Sequence, residues 1–410
     1  MAILNIDSIA HGMVVQADVM DSRNRLLLPK GATITENHFR LLKQQGITHV
    51  SVAMGTPAFP GRDALEKSEG FLLPLFSYVN LNSAPIREVY RLSVLKTAQR
   101  IDNGWHPPDL VKDIPVLTNK YEDLFLKGEG TPEDLISHEI QLTSFPDIYF
   151  KIREVLNSPA STAAHMAEVV GKDTSLSAKL LRLVNSPFYG FSSRIDSITR
   201  AITLVGVEEL STLALGISAI NAFKDIPLEL IDMKEFWKHS IAVGAFARNL
   251  SNLFDDSLRE KLFVAGILHD VGRLVMFKNL PHASTEAFLY SRANSIPLVE
   301  AEKDIFGFDH TLIGGMLLEE WKIPKRLGNI VRYHHDPSFS PNPPDAALIH
   351  LSDFLAISFL TARRGSLIVP QLQEKAWKVL NFDIKSLSEV VARTEEEIDF
   401  ITALFLGDSG

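Results

Sequence analysis

Apolar positions along this chain fall mainly at helical spacing, and strand-like alternation is confined to its start. Met13 to Val19 and Arg25 to Pro29 read as two short strands joined by a polar turn around Asp21 to Asn24, because apolar and β-branched residues flank turn formers. Thr35 is placed to cap a helix that ends at Gly46, and Ile47 to Ala53 returns as a strand. Residues 1–56 therefore predict a small α/β module. The segment Pro57 to Gly70, PAFPGRDALEKSEG, mixes proline, glycine and charge without an apolar period and reads as a linker. Beyond it the pattern turns helical, with Ile86, Val89, Tyr90, Leu92, Leu95 and Ile101 on a stripe that stops at Trp105-His106-Pro107-Pro108. Residues 57–130 are thus expected to be a linker followed by docking helices.

At Thr131-Pro132-Glu133-Asp134 an N-cap hydroxyl, a proline at the first helical position and two acids near the positive end of the dipole predict a helix start. From there the chain reads as short helices separated by stops at Gly171, Asn185 to Pro187, Gly206, Pro227, Pro281, Pro297 and Pro324. A body over 131–340 is extended by helices over 341–410. In that extension Leu351 to Leu360 is apolar at helical spacing and carries Asp353 inward. Trp377 and a last helix from about Leu387 to Phe405 add packing, and Thr394-Glu395-Glu396-Glu397 reads as a solvated, acid-rich helix start. The fold expected is mainly α, a multi-helix bundle with a small N-terminal α/β module.

A length of 410 residues suits two or three domains, and 46% hydrophobic against 22% charged residues is the balance of a folded protein. The formal charge of −9 disfavours nucleic acid as a partner, since affinity for phosphate backbones comes from clustered cations. With no cysteine, any metal site must be built from His, Asp and Glu. The opening MAILNIDSIAHG lacks the basic start and long apolar stretch of a secretory signal, and the most apolar later run, Leu262 to Phe277, contains His269, Asp270 and Arg273. A cytoplasmic location without a membrane partner is expected.

His269 and Asp270 sit together inside the apolar run Ala265 to Arg273, where burying them without partners would be expensive. A divalent metal would compensate, because neutral imidazole and carboxylate are good ligands for first-row metals. Further candidates are His239, His310, the pair His334-His335 and Asp353. Each alone reads equally as a surface or hydrogen-bonded core residue, so the argument rests on the set.

The order His, His-Asp, His, His-His, Asp resembles the HD superfamily and its HD-GYP branch of cyclic-dinucleotide phosphodiesterases. The resemblance implies that Asp270 bridges two ions, with His239, His269 and Asp353 on one and His310, His334 and His335 on the other, and with Glu235, one turn before His239, as an acidic ligand. A mixed His and carboxylate set suits Fe, Mn, Zn or Ni about equally well on chemistry alone. Two such ions would clamp a phosphate and activate water, with Asp270 and Arg273 the residues at the chemistry. Arg273 replaces the family's lysine after the HD-x-G signature, and it cannot readily lose its proton. After His335 the chain reads Asp336-Pro337-Ser338-Phe339-Ser340-Pro341, without the GYP signature, so the match does not extend to cyclic di-GMP hydrolysis.

Upstream, Leu142 to Pro146, Val169 to Ser177, Leu180 to Gly190 and Ile198 to Gly206 resemble the opening of HDOD domains, and with the HD region the likeness spans roughly 141–337. Membership of that family implies a regulatory helical domain of bacterial signal transduction that binds a protein partner, many of whose members have lost the metal ligands. The alternative implied by the retained ligand set is a dinuclear phosphohydrolase or phosphodiesterase acting on a nucleotide or cyclic dinucleotide. Residues 6–19 and 26–31 are similar to a small domain that precedes some HD-GYP domains.

Two other segments read as structural. Ser161 to Asn185 has the outline of a helix-turn-helix, but Lys179 and Arg182 supply little phosphate affinity, and Leu176, Leu180, Leu183 and Val184 form a buried stripe instead. Asn185 to Gly190 reads as a helix stop, with Phe188 and Tyr189 marked as a candidate partner surface.

Overall fold

The computed structural model describes residues 60–108, 117, 121–126, 128–142, 146–158, 162–186, 188–191, 193–223, 226–254, 256–359 and 368–407, and in the N-terminal segment 2–6, 15, 17–21, 26–30, 32, 34, 38, 41–43 and 45–52. It is 70% helical, with 18 α-helices and little strand among the described residues. Two compact units are formed by residues 1–69 with 94–106 and by residues 70–93 with 107–410.

In the first unit β1 (Ala2–Asn5) pairs antiparallel with β4 (His49–Val52), Ala2 opposite Val52 and Asn5 opposite His49. β2 (Val19–Met20) pairs antiparallel with β3 (Leu26–Leu28). Ile6, Val15, Val19, Leu28, Ile34, Leu42 and Val50 make one small core. The strand expected over 47–53 is β4, and its partner β1 lies where no strand was expected. Most of the expected strand over 13–19 and the Thr35 cap lie outside the described residues.

The reading of 57–70 as a linker is corrected from residue 62 onward, and residues 57–59 lie outside the described residues. α1 (Arg62–Leu75) begins there, with Arg62 paired to Glu66 and Lys67 to Asp63 across one turn of its exposed face. Ala64, Leu72 and Leu75 bury its other face, and the buried Ser68 hydroxyl donates to the carbonyl of Val94. α2 (Ala84–Asp102) follows and ends just before the break at Trp105.

In the second unit α3 (Pro132–Leu142) starts on a reciprocal cap, with Thr131 Oγ1 accepting from the Asp134 N–H while the Asp134 carboxylate accepts from Thr131. α4 (Asp147–Asn157), α5 (Ala163–Gly171) and α6 (Thr174–Val184) precede α7 (Ile198–Val205) and α8 (Val207–Ala222). Leu176, Leu180, Leu183 and Val184 are buried, as core packing of α6 requires. Asn185 ends α6 by donating to the carbonyls of Leu181 and Ile195 and accepting from the Ile195 N–H. Phe188 is not a partner surface: it is buried against Phe263 with the Arg248 guanidinium 3.7 Å above its ring.

The body centres on α9 (Met233–Ser251), α10 (Arg259–Leu268), α11 (Val271–Asn279), α14 (His310–Glu320) and α16 (Pro343–Phe359). α12 (Pro281–Asn294), α13 (Leu298–Phe306) and α15 (Lys325–Tyr333) flank them, and α17 (Glu374–Leu380) and α18 (Leu387–Leu406) close the chain. Thr394 and Glu397 lie in mid-α18 and not at a solvated start, since the helix already runs from Leu387. Thr394 is buried, and the Glu397 carboxylate accepts from the Asn249 amide.

Glycines set the closest approaches in this body. A Cβ on Gly266 of α10 would lie 2.3 Å from the Gly244 nitrogen of α9, and one on Gly272 of α11 would lie 2.0 Å from the His310 carbonyl of α14. Among the described residues no single helix is long and apolar enough to cross a membrane.

Because backbone cannot move aside for a methyl group, Gly266→Ala is expected to destabilise the fold by about 1–3 kcal/mol or more. Urea denaturation in the presence of a chelator measures this, and an unchanged midpoint would show that α9 and α10 are less tightly apposed.

Candidate metal centre

Five elements each bring ionisable side chains to one point. α9 presents His239; His269 follows the last residue of α10; and Asp270 forms the joint to α11, with φ −101° and ψ 7°. α14 opens on His310, and its position is fixed by Asp309, which accepts from the N–H groups of Thr311 and Leu312. His334 and His335 follow α15, and α16 supplies Asp353.

The carboxylate of Asp270 divides its two oxygens. Oδ1 lies 3.2 Å from His310 Nε2, while Oδ2 lies 3.4 Å from His269 Nε2 and 4.0 Å from His239 Nε2. Asp353 Oδ1 stands 3.1 Å from His239 Nε2 and 3.6 Å from His269 Nε2. The rings of His334 and His335 are 4.2 Å apart, and those of His310 and His335 5.1 Å. Three groupings have ligand atoms within 4.8 Å of one another: His310, His334 and His335; His239, His269 and Asp270; and His269, His334 and Asp353.

These residues fit a cation. Nε2 of His334 and His335 are buried without a hydrogen bond, and Nε2 of His269 and His310 and Oδ1 of Asp353 have polar contacts only within the cluster, which is a costly arrangement for a fold to keep without a cation. The other ring nitrogens explain the orientation. His269 Nδ1 donates to the Gly266 carbonyl at 2.6 Å and His334 Nδ1 to that of Val331 at 2.8 Å, while His310 Nδ1 meets Glu302 Oε2 at 2.5 Å. With Nδ1 protonated, Nε2 faces the centre and offers a lone pair there whenever the ring is neutral, which is how metal-binding imidazoles are held.

Electrostatics agree with the geometry. Burial would depress His269, but the carboxylates of Asp270 and Asp353 outweigh it and raise its pKa to about 9. Burial together with repulsion from His269 and His310 lowers His334 to about 3. Burial would raise Asp270, yet Arg273 and His269 hold it well below the usual carboxylate range, and the neighbouring histidines do the same for Asp353.

Of the residues expected at the site, the structure brings together His239, His269, Asp270, His310, His334, His335 and Asp353. Glu235 is half-buried one turn before His239, its carboxyl pKa raised by burial, and it belongs to none of the three groupings. Arg273 is buried and committed to two carboxylates, with Nη1 2.7 Å from Asp270 Oδ2 and Nε 2.9 Å from Glu302 Oε1. Glu302 is the residue that sequence reasoning missed. It is 2% exposed and ties Arg273 to His310. Its signal is a carboxylate on the buried stripe of Leu298, Ala301 and Ile305, where an acid needs a partner. His350 is a support, donating from Nδ1 to the His334 carbonyl and accepting the Gln373 N–H on Nε2.

The structure is a helical bundle that gathers histidines around a His-Asp joint. Residues 142–337 match the family model of the HDOD domain, so the chain carries an HDOD domain. An uncharacterised protein of Treponema pallidum (strain Nichols) is 24% identical over 201 residues, 49% of this chain and 39% of its own length, so the chain spans about two-fifths of that relative. The fold is similar to that of a presumed phosphohydrolase from Shewanella amazonensis SB2B, at TM-score 0.53 and 21% identity over 66% of this chain and 98% of that one. It is also similar to a presumed signal-transduction protein from Marinobacter aquaeolei VT8, at TM-score 0.52 and 22% identity over 72% of this chain and 64% of that one.

Glu302→Gln keeps the shape but weakens the hold on His310, and is expected to lower metal affinity about 10–100-fold. Competition with a metallochromic chelator reads this directly, and wild-type affinity would remove Glu302 from the centre. The proton held by His269 below about pH 9 must leave when an ion binds. Uptake near neutral pH should therefore release protons, and affinity should rise with pH toward 9. Calorimetry in two buffers of different ionisation enthalpy tests this; proton-neutral uptake would show that His269 is not a ligand.

Proposed function

We propose that this is a regulatory protein of bacterial signal transduction whose HDOD domain keeps a metal centre of the HD type. The observation that carries the reading is the convergence of buried imidazole nitrogens and carboxylate oxygens around Asp270, with Nε2 of His334 and His335 left without a hydrogen bond. Two first-row ions, of Fe, Mn, Zn or Ni, suit this donor set. His310, His334 and His335 would hold one and His239, His269 and Asp353 the other, with one oxygen of Asp270 turned to each side. In the family such ions supply electrophilic stabilisation of phosphate charge.

This chain's own residues favour regulation over turnover. Arg273 is positioned by Asp270 and Glu302, and a guanidinium locked to two carboxylates neither donates a proton readily nor swings to meet a substrate. Six of the seven clustered residues are buried and His335 alone is half-buried, which leaves the centre better suited to holding helices in register than to admitting a large phosphodiester. The output would then be a protein partner that senses whether α10, α11 and α14 are drawn together. The likeness to a presumed signal-transduction protein supports this context. A second reading, a dinuclear phosphohydrolase acting on a nucleotide or cyclic dinucleotide, is favoured by the completeness of the ligand set and by the likeness to a presumed phosphohydrolase.

Elemental analysis of protein prepared without chelators, beside Asp270→Ala, separates the readings. The expected result is about two equivalents of transition metal in the wild type, lost in the variant, with no hydrolysis of nucleotides or cyclic dinucleotides by either. Metal-dependent hydrolysis abolished by Asp270→Ala would establish the second reading. A wild type that stays metal-free after reconstitution would overturn both.

A further inference from the structure

Away from the metal centre, α4, the end of α14 and α15 enclose a cavity of about 670 Å³. Arg153, Lys322, Lys325 and Arg332 line it against the single carboxylate of Glu319. Among the described residues none of these four cationic side chains makes an ion pair or hydrogen bond. Their neighbours show how unusual that is. Arg326, on the same helix, is paired with Asp345, and Lys261 lies 3.0 Å from Glu208. In a chain with formal charge −9, four unneutralised cations around one cavity form a focused positive field.

The arginines are half-buried and the lysines stand at the rim. Gly315 gives Arg332 its seat, since a Cβ there would come within 2.9 Å of the arginine's own Cβ, whereas Gly328 leaves open space above α15. A second cavity of about 700 Å³ adjoins the first, sharing Arg153, Asn157 and Pro324. Its wall is mainly apolar, with Tyr149, Leu156, Leu215 and Ile330, and Ser211 and Thr212 supply hydroxyls.

A ligand that fills both cavities carries several negative charges at one end and a flat, largely apolar body at the other. We propose that this double cavity binds a nucleoside polyphosphate, its phosphates among Arg153, Lys322, Lys325 and Arg332 and its base beside Tyr149 and Leu156. Guanidinium groups meet phosphate oxygens bidentately, and partly buried ones without carboxylate partners are ready to do so. The site goes beyond the metal centre and does not require it, although α15 joins the two: Arg332 stands two residues before His334.

The test is calorimetric titration of the full chain with each ribonucleoside triphosphate, and with inorganic tripolyphosphate, in excess EDTA so that the metal centre takes no part. At least one nucleotide should bind in the micromolar range and tripolyphosphate more weakly. The double variant Arg153→Gln/Lys322→Asn should weaken the nucleotide at least about tenfold while leaving the thermal midpoint of the free protein unchanged. Asparagine suits position 322, where φ is +56°. Should that variant fail to fold, Lys325→Gln at the exposed start of α15 gives the same reading with a smaller loss. Three outcomes overturn the proposal: no nucleotide binding at about 1 mM, equal binding by the variant, or tripolyphosphate binding as tightly as the nucleotide. Because chelator is present throughout, these failures are independent of the proposed metal centre.

Discussion

The whole second unit is organised around one buried carboxylate. Asp270 is 1% exposed, and an ionised carboxylate taken out of water costs several kcal/mol unless cations and donors surround it. Arg273 supplies one partner, reaching back one turn along α11. The remaining space around Asp270 is filled by the imidazoles of His239, His269 and His310, whose Nε2 atoms face it. Where those nitrogens carry no proton, acceptors surround an acceptor. The arrangement becomes favourable when positive charge stands among them, either as the proton on His269 or as a metal ion.

This constraint explains features of the packing that have no reason in core formation alone. A body built only to bury apolar surface would fill the seams between helices with side chains. Here α9 and α10 meet through Gly244 and Gly266, and α11 meets α14 through Gly272, so that backbones touch. Those contacts bring His239, His269 and His310 within 4.0 Å of the Asp270 carboxylate, although the outermost two are 71 positions apart in the chain. The second tier of polar residues has the same purpose. Glu302 orients His310 and restrains Arg273, while His350 and Gln373 fix the backbone that carries His334 and His335.

Much of this was legible from residue order. Helix periodicity, the Thr131 cap and the Asn185 stop are local signals, decided by a turn or two of chain, and they hold in the structure. The His and Asp side chains that the structure brings together are legible as candidates because two ionisable neighbours in an apolar run demand partners, although the pair lies at a joint between two helices and not within one. What escaped depends on distance in three dimensions. Glu302 reads as an ordinary helix acid until its face is known to be buried. Strand β1 at residues 2–5 has no local pattern strong enough to announce it without its partner at 49–52. The segment after Gly61 looked like a linker because its charges were counted as solvation, when two of them pair with two others across a helical turn. Phe188 looked like a surface because a Pro and Gly bracket it, and nothing in the local sequence reveals the arginine stacked upon it.

The replacement at Arg273 has the widest consequence. A lysine at that place would be a compact cation on a flexible stem, able to lose its proton when buried and to move with a reacting phosphate. The guanidinium instead stays charged at any pH and spends its fork on Asp270 and Glu302, which ties the joint between α10 and α11 to α13 and, through Glu302, to His310. Asp270, Arg273, Glu302 and His310 are thereby joined in one buried chain of polar contacts. On the proposed regulatory reading such a chain is a clamp between helices, a role that a guanidinium held by two carboxylates fits without further movement.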